Sequence, residues 1–393
     1  MTLLPITEAQ SRLFALAAPI ASEEVTLAQA AGRWAAADVR ALRTQPAVDL
    51  SAMDGYALRF TDLPGPWRVI GESAAGRPFA SAVGAGEATR IFTGAAMPAG
   101  TDTVLIQEEA GRDGEQLRLT GDGPPHLGRN TRRKGLDFGK GDRLIAAGER
   151  ITPARLAVAA TAGHGTLPVR RRVRVALAAT GDELVDPGRP LSANALPESN
   201  RAMLAAMLAD LPVDLVDLGI LPDRLDTMRD AFAGVDADLL VTTGGASVGD
   251  HDLVRPALAA AGGRVDFWRV ALRPGKPMMA GRLGRTTVLG LPGNPVSAFV
   301  TATLFVRPLV GHLSGAADPL PRPRLAVLGE DLPANNGRTD YLRGTERDGR
   351  VYAAPVQDSS MLLTLAHSTC LVIRAPEAPA AHAGDSAEVL DIA

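Results

Sequence analysis

RVRVALAATG (172–181), NRAMLAAMLADL (200–211) and PVDLVDLGIL (212–221) read in turn as strand, helix and strand. The first and third are short runs rich in Val and Leu, and the second is a longer apolar stretch of helix formers. The rhythm continues through DRLDTMRDAFAGV (223–235, helix), ADLLVTTGG (237–245, strand), HDLVRPALAAA (251–261, helix), TTVLGLPG (286–293, strand) and PVSAFVTATLFVRPLV (295–310, helix). Strands alternating with helices predict a parallel α/β domain over 173–318. Its ligand site should lie beyond the carboxyl ends of the strands.

On the amino-terminal side, 7–40 reads as two helices. Ser22, followed by Glu23 and Glu24, resembles a capped helix start. ITPARLAVAATAG (151–163) reads as a further helix, with Pro153 near its start and Gly163 past its end. Between them, WRVIGE, ATRIFTG, TDTVLIQEE and QLRLTG are short β-runs separated by Gly, Pro and Asp turns. The pattern predicts a β-domain at 45–140 inserted into an elongated helical region formed by 1–44 and 141–172. On the carboxyl side, PLPRPRL (319–325) is a linker, and the short strands after it predict a small β-barrel within 319–393.

Net charge is -3, which argues against a nucleic-acid partner. A single cysteine, Cys370, excludes an intrachain disulfide and a cysteine metal cluster. The six scattered histidines leave carboxylates as the expected metal ligands, and a hard cation as the expected metal. The amino terminus lacks a signal-peptide pattern, and no apolar run reaches the ~18 residues of a membrane span. A soluble cytoplasmic chain with no membrane partner is expected. Of the 41 basic residues only Lys134, Lys140 and Lys276 are lysines, which singles out a lysine set among candidate site residues.

Several stretches carry chemistry. TTGGASVGDHD (242–252) follows a strand and precedes a helix, so its glycines can bring backbone N–H groups close to an anion. Its lesser reading is a tight strand–helix turn. ATGDEL (179–184) sets Asp182 and Glu183 at a strand end, fit for Mg²⁺ or proton transfer, or for an acidic helix start. ALRPGKP (271–277) holds Arg273 and Lys276 in a proline-stiffened loop suited to an oxyanion, or simply to solvent. In LPGNPVSA (291–298), Pro292 and Pro295 direct the chain into a helix that Asn294 can cap. SAMDGYA (51–57), IFTGAAMPAGTDTV (91–104) and the basic loop GRNTRRKGLDFGKGD (128–142) offer Asp54, Thr93 and Asp137, beside ordinary turn readings. Acids, a glycine cradle and a cationic pair together imply a phosphate-bearing anionic ligand held with a divalent cation.

In this order and spacing, SAMDGYA, IFTGAAMPAGTDTV, ATGDEL, TGGASVGDHD, RPGKP and LPGNPVSA resemble the molybdopterin molybdenumtransferases. That family includes the C-terminal part of the scaffold protein gephyrin. The resemblance covers essentially the whole chain. It implies a helical region, an inserted β-domain, an α/β molybdopterin-binding domain and a C-terminal barrel, assembled as a homodimer. The active site would lie between the α/β domain of one copy and the inserted domain of the other. By motif, Asp54, Thr93 and Asp137 would face that site from the inserted domain. Glu183, Asp223 (in GILPDRLD) and Asp252 would handle Mg²⁺ and the adenylate. Gly244, Gly245 and Ser247 would cradle phosphate, with Pro292 and Asn294 alongside. Arg273, Lys276 and Pro277 would bind molybdate, completed by Arg338 in GRTDYLRG and Ser359 in VQDSSM.

The implied reaction inserts molybdate into adenylyl-molybdopterin and releases AMP. Molybdopterin adenylyltransferase and molybdoenzyme maturation factors are the partners the resemblance implies. The rival readings are an adenylyltransferase and a non-catalytic carrier or scaffold. Three positions depart from the family pattern: Arg273 where lysine is frequent, Val48 where an aromatic is common, and Asp358 where glycine is usual.

Overall fold

A computed structural model describes residues 3–244 and 253–392. Helix α1 (Ile6–Ala15) buries Ala9 and Leu13 in the largest apolar core. The second expected helix is corrected. Ser22–Thr26 is a strand, β1, and only one turn, α2 (Leu27–Ala30), is helical. Ser22 does not cap a helix. It opens an antiparallel ladder in which Ser22 lies opposite Arg170 and Thr26 opposite Thr166. Long-range pairing here outweighs the local cap signal.

The inserted domain is a six-stranded sheet of β2 (Gly55–Leu58), β3 (Trp67–Ser73), β4 (Glu87–Ile91), β5 (Thr103–Ile106), β6 (Ala110–Asp113) and β7 (Gln116–Leu119), in the order β5-β2-β4-β3-β7-β6. Its own core gathers Leu58, Trp67, Leu105 and Leu117. The chain then returns through α3 (Pro153–Thr161), capped by Thr152 accepting from the Arg155 N–H, to β8 (Thr166–Arg170), the partner of β1. A separate core of Val39, Ile145, Ile151, Leu167 and Val169 joins the two passes.

The α/β domain follows as β9 (Val173–Thr180), α4 (Asn200–Leu208), β10 (Val213–Leu221), α5 (Leu225–Ala233), β11 (Leu239–Thr243), α6 (Val254–Ala260), β12 (Arg264–Trp268), β13 (Leu272–Arg273), β14 (Met279–Leu283), β15 (Thr286–Leu291) and a helical run, α7 (Pro295–Leu313). The main sheet runs β10-β9-β11-β15-β14-β12. Its first four strands are mutually parallel, as expected. The last two, β14 and β12, are antiparallel additions that the strand–helix alternation did not predict. Val175, Leu177 and Val241 feed the core on one face, and Ala176, Ala178 and Leu240 the core on the other. Burial on both faces explains the unbroken apolar runs.

Helix α7 contains a π-helical stretch, Ala302–Val306. Its 19 residues, interrupted by Arg307, are long and apolar enough to cross a bilayer by length and composition alone. The run is 78% buried inside the protein, however, where Val300, Leu304, Phe305 and Leu309 pack in the main core.

The chain ends in β16 (Arg324–Leu328), β17 (Thr339–Arg347), β18 (Arg350–Ala353), α8 (Leu362–Ala366), β19 (Cys370–Arg374) and β20 (Ser386–Asp391). Pairings β17–β18–β16–β20–β19 and back to β17 close a five-stranded barrel. The α/β domain reaches into it, since β13 pairs in parallel with β17.

Candidate functional site

Strand β9 lies between β10 and β11, so consecutive connections leave it in opposite directions. That divergence opens a crevice at the carboxyl ends of the strands. A cleft of about 650 Å³ occupies it, lined by Thr180, Glu183, Asp223, Thr243, Gly244 and Asn294 among others. Pro277 and Pro292 border the same cleft. Six sequence-predicted residues therefore meet here: Glu183, Asp223, Gly244, Pro277, Pro292 and Asn294. Gly245, Ser247 and Asp252 lie outside the described residues.

Gly244 has φ +88°, a left-handed conformation that favours glycine. A Cβ there would stand 2.5 Å from the Thr180 carbonyl oxygen, so the turn after β11 closes directly onto the end of β9. Across the same end, the Asp223 N–H donates to Asp182 Oδ1 at 3.1 Å. Asp182 thus ties two cleft loops together, while Glu183 beside it lines the cleft.

Asn294 stands at the start of α7, but its side chain makes no capping hydrogen bond. The capping expectation is corrected: Asn294 Nδ2 donates to Ser359 Oγ at 3.0 Å, and the Val296 N–H donates to the Ser359 carbonyl. Pro295 at the first helical position already presets the helix, which frees Asn294 to reach the barrel. Ser359 is thereby joined to the cleft. Neighbouring Asp358 accepts from the Ser360 N–H and hydroxyl, and those bonds hold its carboxyl below the usual aspartate range.

The cationic pair divides. Arg273 lines a smaller pocket of about 220 Å³ with Asn335, Asp340, Gln357 and Arg374. Its guanidinium forms an ion pair with the buried Asp340. Burial pushes the Asp340 pKa up, and the charges of Arg273, Arg338 and Arg374 oppose that rise without cancelling it. Arg338 is half-buried beside this pocket. Lys276 is exposed. Among the described residues its ammonium group has no hydrogen bond or ion pair.

Asp54, Thr93 and Asp137 border neither the cleft nor the Arg273 pocket. Asp54 Oδ1 accepts from the Thr93 N–H at 2.7 Å and the Thr93 hydroxyl at 2.8 Å, which holds the Asp54 carboxyl below its ordinary range. Asp137 is exposed on the 128–142 loop, which pairs at Thr131 and Arg132 with Ser51 and Leu50 of the SAMDGYA stretch. Two of these expected residues thus act as a unit, within a domain that has its own core.

Among the described residues, no three His, Cys, Asp or Glu side chains gather as a metal site. Glu183 and Asp223 do share the cleft. Two carboxylates on one cleft are a donor set that fits Mg²⁺, which keeps several waters and takes few protein ligands.

Sequence reading missed Thr180, Thr243, Asn200 and Ser360, which also line the cleft. Asn200 is 7% exposed and donates through Nδ2 to the Gly293 carbonyl at 2.8 Å. A signal was present: ALAAT and LLVTT are apolar strands whose last residues turn polar where a parallel sheet exposes its carboxyl edge.

Residues 4–163 match the family described as "MoeA N-terminal region (domain I and II)", 176–312 the "Probable molybdopterin binding domain", and 325–392 the "MoeA C-terminal region (domain IV)". The chain is 35% identical to the molybdopterin molybdenumtransferase of Haemophilus influenzae, over 98% of each chain. It is 32% identical to that of Bacillus subtilis, over 95% of this chain and 90% of the other. A solved structure of the molybdopterin biosynthesis moeA protein from Pyrococcus horikoshii OT3 superposes with a TM-score of 0.86, at 25% identity over 100% of each chain. By domain content, by similarity over its whole length and by fold, this chain belongs to the molybdopterin molybdenumtransferase family of transferases.

Proposed function

We propose that the protein inserts molybdate into adenylyl-molybdopterin, releasing AMP and giving the molybdenum cofactor. The observation that carries this reading is the junction of two kinds of site. A cleft with acids and a glycine turn lies at the sheet's switch point. A cationic pocket with Arg273 and Arg374 lies where the α/β domain meets the barrel, and the exposed Lys276 follows Arg273 in the same loop.

The reaction requires two anions to be held side by side, against their Coulomb repulsion. Gly244 lets the backbone approach the phosphates closely. Glu183 and Asp223 would hold Mg²⁺, which supplies Lewis-acid neutralisation of phosphate charge. Arg273 and Lys276 attract the oxyanion. Lys276 has no hydrogen bond or ion pair among the described residues, whereas Arg273 shares its charge with Asp340. No side-chain nucleophile is needed: an oxygen of water or of molybdate attacks the phosphoanhydride, AMP departs, and the two dithiolene sulfurs displace molybdate oxygens, which leave as water.

Asp54, Thr93 and Asp137 enter this reading through a second copy of the chain. They sit on a separately cored domain away from the cleft, which supports a homodimer in which each inserted domain faces its partner's cleft.

Purified protein given adenylyl-molybdopterin and Mg²⁺ should release AMP only when molybdate is added. Release of AMP without molybdate, or tight binding without release, would replace this reading with a hydrolytic or a carrier role.

A further inference from the structure

Arg201, in the first turn of α4, is the hub of three ion pairs, and its side chain is only 11% exposed. Its Nη2 bonds Asp186 at 2.6 Å, its Nη1 bonds Asp217 on β10 at 2.6 Å, and its Nε bonds Glu198 at 3.1 Å. Glu198, 3% exposed, also accepts from the Asn200 and Arg201 N–H groups, at 2.7 Å and 3.1 Å. The buried carboxylate therefore fixes both the guanidinium and the start of α4. Burial works against the Arg201 charge, and the hydrogen bonds and charges of Asp217, Glu198 and Asp186 more than offset it, holding its pKa above the usual arginine value.

The loop between β9 and α4 carries Glu183 and is largely exposed. It folds on itself through a short parallel pairing of Leu184–Val185 with Leu196–Pro197. There the Leu196 N–H donates to the Glu183 carbonyl at 2.8 Å, and the Glu198 N–H to the Val185 carbonyl at 2.9 Å. Asp186 lies just past this pairing, and Arg201 connects it to strand β10. The start of the loop is tied by the Gly181 N–H to the Leu221 carbonyl and by Asp182 to the Asp223 N–H, and among the described residues the ion pairs that tie its far half to the sheet pass through Arg201.

We propose that Arg201 is a positioning residue, clamping the loop to the sheet through Asp186, Glu198 and Asp217 and so fixing Glu183 over the cleft. The planar guanidinium suits this task, since it offers several donors in fixed directions, whereas a lysine ammonium is a point charge. This rests on the proposed insertase reading for its catalytic consequence, but not for the clamp itself.

Two readouts on the full-length protein separate those parts: amide hydrogen exchange over 182–198, and AMP release with molybdate. Asp186→Asn removes only the loop anchor, at a residue whose side chain is 63% exposed, so the variant should fold normally. We expect faster exchange over 182–198 and a fall in kcat of roughly 10- to 100-fold, as for a slightly misplaced reacting geometry. KM for molybdate should be unchanged, because the cationic pocket is separate. Arg201→Gln should show the same pattern more strongly, and Arg201→Lys an intermediate one. Unchanged exchange in both Asp186→Asn and Arg201→Gln would overturn the clamp. Faster exchange with unchanged kcat would overturn its role in positioning Glu183. If the wild-type protein released no AMP, the insertase reading would fall, while exchange would still decide whether Arg201 holds the loop.

Discussion

Arg273 and Asp340 lie opposite one another in the parallel pairing of β13 with β17, and their side chains form an ion pair between the α/β domain and the barrel. The pair is asymmetric: the Asp340 side chain is 3% exposed and that of Arg273 47%. Asp340 Oδ1 has no hydrogen-bond partner, so the buried carboxylate depends heavily on Arg273.

Arg273→Ala should therefore destabilise the protein by about 1–3 kcal/mol, below the full cost of breaking a buried pair because Arg273 is partly solvated. Denaturant unfolding measures it. Because burial raises the Asp340 pKa in the folded state, the folded protein holds this proton more tightly than the unfolded chain does. This group's contribution to stability thus decreases as pH rises from the ordinary aspartate value through the raised one. Arg273→Ala should extend that decrease to higher pH. Parallel stability–pH curves for the two proteins would contradict this account.

Asp54 behaves in the opposite sense. The Thr93 N–H and hydroxyl depress its folded pKa. Its contribution is complete above the ordinary aspartate value and lost as pH falls through the depressed one. Thr93→Ala removes the hydroxyl bond and keeps the backbone bond, so the Asp54 pKa should rise only part of the way back. A carboxyl titration followed by NMR reads this directly, and an unmoved Asp54 would show that the hydroxyl bond is absent in solution.

Gly244→Ala places a methyl group 2.5 Å from the Thr180 carbonyl oxygen and forces alanine to φ +88°. The strain should cost about 1–3 kcal/mol. The turn should also move away from β9, lowering AMP release. Urea midpoints and turnover together test it. A variant as stable and as active as the wild type would mean that the turn tolerates a different path.

Lys276→Ala should weaken the dependence on molybdate, with KM for molybdate rising more than kcat falls. Glu183→Gln should abolish AMP release while leaving the unfolding midpoint close to wild type, since Glu183 is exposed. Normal turnover in the Glu183 variant would remove it from the site.

Much of this was legible in the chain. The strand–helix alternation from 172 onward corresponds to four parallel strands, because apolar runs buried on both faces leave a strong local pattern. Motif order led to Glu183, Asp223, Gly244, Pro277, Pro292 and Asn294, which share one cleft. The misreadings have a common cause. Ser22–Thr26 carries a helix-start signal, yet it becomes a strand because Thr166–Arg170, far away in sequence, pairs with it. β12 and β14 were missed because nothing local marks an antiparallel edge.

Sequence alone therefore determined the family pattern, the inserted β-domain, the parallel sheet and the residue types at the cleft, all of which reside in local periodicity and motif spacing. Tertiary structure alone decided how those residues divide. It joined Arg273 to Asp340, Asn294 to Ser359, and Arg201 to three acids from a loop, a helix start and a strand. Apart from the neighbouring Arg201 and Glu198, these partners lie 15 to 67 residues apart, and only the folded backbone brings such groups within hydrogen-bond reach, so no local pattern could have announced them.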